Sequence, residues 1–358
     1  MRIAQVAPLW EEVPPKQYGG TERIVSYLTE ELVKLGHEVV LYASGDSATS
    51  AQLESGWPVS FRKSSPPFDP AILTLTQAGR ALEADRGFDI IHNHTGIQIL
   101  PLLAASATAS LTTIHDGFTD RNITYFERYS SLSFVSISNA QRVRSPKLNY
   151  RATVHHGLPL SDYSFSAQPD TSRPYLAFLG RMSPEKAPHL AIEAARRGGW
   201  RLKMAAKIAG HEKDYWKECV EPLVDGDQIQ YLGELGHIAK NELLCGAAAM
   251  LFPIQWPEPF GLVMIESLAC GTPVIAFRNG SVPEVVRHGH TGFVVNSVEQ
   301  MARAIGRISE ISREECRADV RIRFSDDVMA RNYVRIYSDL VEVNREAEPD
   351  EVAATAAA

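Results

Sequence analysis

The sequence predicts an α/β protein of two doubly wound, Rossmann-like parallel-sheet domains facing a cleft. Three observations carry this: the length, the alternation of apolar runs with helical patterns, and one break in that alternation. At 358 residues the chain exceeds the size at which a single core stops growing, so two domains are expected. Short β-branched runs recur at Ile3–Ala7, Glu38–Ala43, Asp89–His92, Leu111–Ile114 and Ser133–Ile137, with helical spacing between them. Continuous apolar strands alternating with helices belong to a parallel sheet covered on both faces. The first helix is expected to take Thr21 as its N-cap, to bury Ile24, Val25, Leu28, Leu32 and Leu35 on one face, and to end at Gly36. Between Gly45 and Phe88, where Ser, Pro and Gly are frequent, one helix is expected, about Ile72–Ala84.

The alternation breaks at Leu158–Pro174, LPLSDYSFSAQPDTSRP, which has neither period and reads as a linker. It restarts with Tyr175–Leu179, Leu202–Ile208, Ile229–Leu232, Ala248–Phe252, Pro273–Phe277 and Phe293–Val295. The expected division is a first domain over 1–165 and a second over 166–325. Beyond them Val328, Tyr333, Ile336, Tyr337 and Leu340 keep helical spacing. Residues 346–358, closing on EVAATAAA, offer no large side chain to pack and read as a disordered tail. Ligands of open parallel sheets sit at the carboxyl ends of strands, so the active site is expected in the cleft between the domains.

The formal charge of -7 is spread evenly: residues 1–170 carry 14 basic and 17 acidic side chains, the remainder 22 and 26. Neither half is a basic surface of the kind that binds nucleic acid, so that partner is excluded. No apolar run reaches the length of a membrane span, and the N-terminus lacks the apolar region of a signal peptide. Cys219, Cys245, Cys270 and Cys316 lack CxxC or zinc spacing and read as buried thiols of a reducing compartment, so a cytoplasmic protein is expected. Arg142, Arg144, Lys147 and Arg151 form a small basic patch, read as a solvated face with at most peripheral contact to anionic lipid.

Three elements carry candidate chemistry. Glu258-Pro-Phe-Gly-Leu-Val-Met-Ile-Glu266 follows an apolar strand, with Phe260 and Gly261 opening a helix whose free amides suit an anion or sugar hydroxyls. Glu266, two turns along, suits a vicinal diol; the plainer alternatives are a helix-supporting Glu258 and a solvated Glu266. Gly180-Arg181-Met-Ser-Pro-Glu-Lys186 places two cations at a strand's carboxyl end, as a diphosphate needs, or forms a solvated turn. Tyr18, Gly19, Gly20, Thr21 and Glu22 put a glycine pair at a helix start, without the GxGxxG spacing of a nicotinamide site. His115 ends a β-rich run and reaches the cleft, unless it is structural; His92, His94, His155 and His156 read as cleft wall, with no metal-ligand spacing. Asp225-Gly226-Asp227 reads as a turn, not a metal-binding acidic pair.

The order of these elements resembles the retaining, GT-B-fold glycosyltransferases of family 4 over nearly the whole chain. The resemblance rests on YGGTE (18–22), FDIIHNH (88–94), LTTIHD (111–116), FVSIS (134–138), FLGRMSPEK (178–186), WPEPFGLVMIESLACGTPVIA (256–276) and NGSVPEVVRHGHTGFVV (279–295). It implies a GT-B fold whose C-terminal helix, 326–345, returns to an acceptor-binding first domain, while the second domain binds the donor. It implies that Glu266 holds the nucleotide ribose and Glu258 the transferred sugar, and that the amides of Phe260, Gly261 and Leu262 line sugar and diphosphate. Arg181 and Lys186, beside Gly180, would neutralise the diphosphate without a metal or other cofactor. His115 would contact the donor sugar; Gly19 and Gly20, beside Tyr18, would approach phosphate or acceptor; Gly233, Glu234 and Leu235 would read the base through main chain. The implied activity is transfer of a hexosyl group from a nucleotide sugar, a UDP-hexose ahead of GDP-mannose, to a carbohydrate, lipid-linked or small-molecule acceptor. A non-catalytic nucleotide-sugar-binding protein or an epimerase on the same fold is the alternative. Two departures stand out: Ala187 and Pro188 follow the lysine where the family often has Gly, and His156-Gly157 replaces the usual Asn-Gly before the linker.

Overall fold

The computed structural model describes residues 1–347 except 18, 66, 67, 84 and 85. The first sheet has seven parallel strands: β1 (Arg2–Val6), β2 (Glu38–Ser44), β3 (Gln52–Trp57), β4 (Ile90–Asn93), β5 (Ser110–Ile114), β6 (Phe134–Ser136) and β7 (Tyr150–Thr153). Their order is β3-β2-β1-β4-β5-β6-β7. The second has six: β8 (Tyr175–Arg181), β9 (Arg201–Lys207), β10 (Ile229–Tyr231), β11 (Ala249–Phe252), β12 (Val274–Phe277) and β13 (Gly292–Val295), ordered β10-β9-β8-β11-β12-β13. In each sheet the strand order reverses beside the first strand, and a crevice opens at such a switch point. The loops after β1 and β8 carry the glycine pair and the Arg181–Lys186 turn, so both fall at a switch point.

The expected fold class stands, with corrections to single elements. β3 and β7 were not expected; both are edge strands whose residues are only partly buried, so no apolar run marks them. The first helix, Gly20–Lys34, is capped by Gly19 at φ 142 with no side-chain cap, not by Thr21. A Cβ on Gly19 would stand 2.8 Å from that of Pro15, so the turn needs glycine. The second helix spans Pro70–Ala81: Asp69 accepts from the amides of Ala71 and Ile72 at 2.8 and 3.2 Å, and Pro70 sits in its first turn.

The last helix, Asp326–Ala347, returns to the first sheet, where Met329, Tyr333, Tyr337 and Leu340 join Ile24, Leu28 and Leu32 in one core. It therefore includes residues 346 and 347 of the expected tail; the remainder of that tail lies outside the described residues. The chain crosses between the sheets at two adjacent places. The Leu158 amide donates to Phe324 O at 2.9 Å, and Gly157 lies so close to Ser325 that a Cβ would be 2.3 Å from its carbonyl oxygen. The linker is pinned: Arg317 donates to the carbonyls of Leu160 and Tyr163, and Tyr163 is buried. Cys270 and Cys316 are buried as expected, but Cys219, in the short helical stretch Trp216–Val220, is exposed, and Cys245, near the end of the helix His237–Gly246, is half-buried.

Candidate active site between the two sheets

A cavity of about 510 Å³ lies between the carboxyl edges of the two sheets. It gathers Gly19, Gly20 and His115 from the first half, and Gly180, Arg181, Lys186, Glu234, Leu235, Glu258, Phe260, Gly261, Leu262 and Glu266 from the second. Gly233 does not line it: its φ of 75 makes the turn that carries Glu234 and Leu235 forward from β10. Tyr18 lies outside the described residues.

The two cations come from β8 and the turn after it. Arg181 donates to Glu212 at 2.8 Å, and that carboxylate also accepts from the Ala209 amide at 2.9 Å. Lys186 pairs with Glu258, and its ammonium lies 5.6 Å from the rings of both Phe252 and Trp256. The turn ends at Ala187, the one non-glycine residue at positive φ among the described residues (φ 51) and completely buried. This is the position where the resemblance leads one to expect glycine.

Glu258 is held from three directions. Trp256 Nε1 donates to the carboxylate oxygen that Lys186 also uses, at 2.7 Å. The Ser281 amide donates to the Glu258 carbonyl at 2.9 Å, and Ser281 Oγ donates to Phe260 O at 2.7 Å. Gly280 makes that approach possible, since a Cβ there would stand 2.3 Å from the Glu258 nitrogen. Gly261, at φ 79, then caps the helix Leu262–Ala269, leaving its first amides free toward the cavity. The helix thus starts one residue after Gly261 rather than at Phe260. Farther along it Glu266 is buried, accepts from Tyr163 at 3.1 Å and pairs with Lys240. Burial alone would raise its pKa, but the adjacent Lys240 ammonium and the hydrogen bonds hold the carboxyl below its ordinary range.

His115 ends a buried hydrogen-bond chain that begins on the last helix. Gln5 Nε2 donates to Tyr337 Oη at 3.1 Å, so Gln5 Oε1 accepts from His94 Nε2 at 2.7 Å. Burial keeps His94 neutral by pushing its pKa well below the ordinary value, so its Nδ1 accepts, and His115 Nε2 donates to it at 2.8 Å. Burial also pushes His115 down to about 3. The neutral ring then carries a bare lone pair on Nδ1, which has no partner in the structure. His115 lines the cavity, while this acceptor atom is itself buried beside it. His156 stacks on it at 5.3 Å and is cleft wall as expected. His92 is not: it is wholly buried between Tyr337 and Thr113, bonded at 2.6 and 2.8 Å. His94 lines a neighbouring cavity, and His155 instead bonds Glu284 at 3.2 Å. Asp225 accepts from the amides of Asp227 and Ile229, both at 2.9 Å, a turn as expected. Among the described residues no group of three or more His, Cys, Asp or Glu is arranged to hold a metal ion, and no helix is long and apolar enough to cross a membrane.

The profile described as Glycosyltransferase Family 4 matches residues 18–175, and that described as Glycosyl transferases group 1 matches residues 161–323. The chain belongs to the family 4 glycosyltransferases. As such it transfers a sugar from a nucleotide sugar to an acceptor. It is 27% identical over 343 residues to a glycogen synthase of Mycobacterium tuberculosis, covering 82% of this chain and 81% of that one. A D-inositol 3-phosphate glycosyltransferase of Mycobacterium bovis is 34% identical over 139 residues, 37% of this chain and 29% of that one. Among solved structures, the sucrose-phosphate synthase of Thermosynechococcus elongatus superposes with a TM-score of 0.77 at 20% identity, over 96% of this chain and 100% of that one. HepE of Anabaena, solved with UDP and glucose, gives 0.71 at 16% identity, over 94% and 99%. These likenesses establish the GT-B fold.

Sequence reasoning missed several residues at or beside this glycosyltransferase's cavity. Lys240, from the helix His237–Gly246, gives no signal because a single Lys on a helix looks solvated. Tyr163, which bonds Glu266 without lining the cavity, sits in a Pro- and Ser-rich stretch that shows no period and gives no signal. Trp256 stood inside a quoted motif, and its indole donor to Glu258 was legible only from structure.

Proposed function

We propose that this glycosyltransferase moves a hexosyl group from a UDP-hexose to an acceptor hydroxyl, with retention at the anomeric carbon and without a metal ion. The supporting observation is one arrangement: Arg181, Lys186 and the free amides of the helix Leu262–Ala269 line a single cavity with Glu258 and Glu266. Breaking the bond from the anomeric carbon to phosphate builds negative charge on the diphosphate and positive charge on the sugar. Arg181, Lys186 and the helix amides stabilise the first, doing what a metal does in other transferases. Glu266, oriented by Lys240 and Tyr163, takes the ribose hydroxyls, and Glu258 takes those of the sugar. His115 contacts the donor sugar, and the amides at Gly19 and Gly20 approach phosphate or acceptor. Attack from the leaving-group face, with a departing phosphate oxygen taking the acceptor's proton, accounts for retention. Residues 1–165 with 326–345 serve the acceptor and 166–325 the donor. Main chain at Glu234 and Leu235 reads the base, and the UDP bound in the HepE structure favours uracil.

Thermal shift with UDP, GDP, ADP and TDP tests the donor, since a ligand at 100 times its Kd adds about 2.7 kcal/mol of stability. UDP is expected to raise Tm most, and turnover of a UDP-hexose is expected to survive EDTA. A larger shift with GDP defeats the UDP assignment.

A further inference from the structure

A second cavity, of about 300 Å³, opens in the first half of the molecule. It shares Trp10, Thr21, Glu22, His115 and Asp116 with the first. Transfer needs the acceptor oxygen within about 3 to 3.5 Å of the anomeric carbon, so the acceptor's cavity must abut the donor's. The shared wall at His115 meets that condition.

The chemistry of the wall narrows the ligand. Trp10 is 52% exposed and is braced edge-on by Phe61 at 5.4 Å and 89°. A half-exposed indole fixed in a cavity wall suits the C–H face of a sugar ring, being apolar yet accessible. Glu22 and Asp116 supply carboxyl oxygens that accept hydroxyl protons, and Glu22, raised to about 7, also offers a proton in its neutral form. Among the described residues no Lys or Arg lines this second cavity, whereas Arg181 and Lys186 line the first. A phosphate or carboxylate on the acceptor would meet the carboxyls of Glu22 and Asp116 in a wall that holds no Lys or Arg among the described residues. Burial raises the pKa of both, Glu22 to about 7, which shows how little further negative charge the site tolerates.

We infer that the second cavity is the acceptor subsite and that its ligand is an uncharged saccharide, with one ring stacked on Trp10 and hydroxyls on Glu22 and Asp116. This rests on the donor assignment of the adjoining cavity. It sets the chain apart in acceptor chemistry from the relative named for inositol 3-phosphate.

Saturation-transfer NMR on the full chain tests it, with glucose, galactose, mannose and maltose each compared with its phosphorylated counterpart, in the presence of UDP. UDP is followed by its own uracil signals, so failure of the donor reading and failure of the acceptor proposal register on different molecules. At least one neutral sugar is expected to bind, with its phosphate at least about 10-fold weaker. Trp10→Ala is expected to abolish that signal. Gln98→Arg, on an exposed part of the same wall, is expected to shift the preference toward the phosphate by about 10-fold or more. A sugar phosphate that binds as well as its neutral parent overturns the proposal. So does neutral-sugar binding that survives Trp10→Ala, or the absence of binding by every neutral sugar at tens of millimolar.

Discussion

Burial lifts the Glu22 carboxyl from its ordinary 4.5 to about 7, so between those pH values the folded chain holds a proton that the unfolded chain has lost. Stability from this group is complete below 4.5 and is lost as pH rises through 7. Glu22→Gln removes the dependence. Urea unfolding is expected to show the variant gaining up to about 3 kcal/mol on wild type between pH 5 and pH 8. An equal difference at both pH values would contradict the burial account. Glu22 also marks a limit of sequence reading at this scale. Arg181, Lys186, Glu258 and Glu266 were legible because their spacing on strand ends and a helix start is itself the signal. The partners Glu212 and Lys240 were not, because each comes from a different crossover helix and meets its carboxylate or cation only in three dimensions.

At the scale of elements, the segment Trp256–Phe260 is shaped by the neighbouring Gly280 turn. A methyl on Gly280 would meet both backbone N and O of Glu258 at 2.3 Å, and its φ of 51 adds strain. Gly280→Ala is therefore expected to cost about 1 to 3 kcal/mol, as overpacking does, and to lower turnover by displacing Glu258. Gly289→Ala is the control: φ is 75 there but nothing lies within 4 Å, so activity is expected to persist. Equal activity loss in both would show strain alone to be the cause. The same distinction explains which elements the sequence disclosed. Central strands and the Leu262–Ala269 helix are buried and mostly apolar, and so easily read. The edge strands β3 and β7 and the Gly19 cap depend on pairing and close backbone approach, which leave no period.

For the whole molecule, the division into two doubly wound sheets followed from the alternation of runs and its one break. The path of the last helix did not, since its stripe states only that it packs, not on which sheet. That helix supplies Tyr337 and Tyr333 to the polar chain ending at His115, besides much of one core. Its large buried side chains contribute about 1.5 to 3 kcal/mol each, a sum comparable with a domain's whole stability. Deleting residues 326–347 is expected to abolish cooperative unfolding of the first half, as followed by circular dichroism. An unchanged transition would contradict the packing described.

In the proposed reaction, side-chain cations at the end of β8 carry the diphosphate charge in the transition state. Single-turnover kinetics of Lys186→Gln and Arg181→Gln with a UDP-hexose tests it most directly, with folding checked by thermal unfolding. Each variant is expected to lower the rate by about 100- to 1000-fold, the usual loss on removing one preorganised stabilising group. Rates within about three-fold of wild type for both would contradict the account, since a group that acts only in the transition state must show in the chemical step.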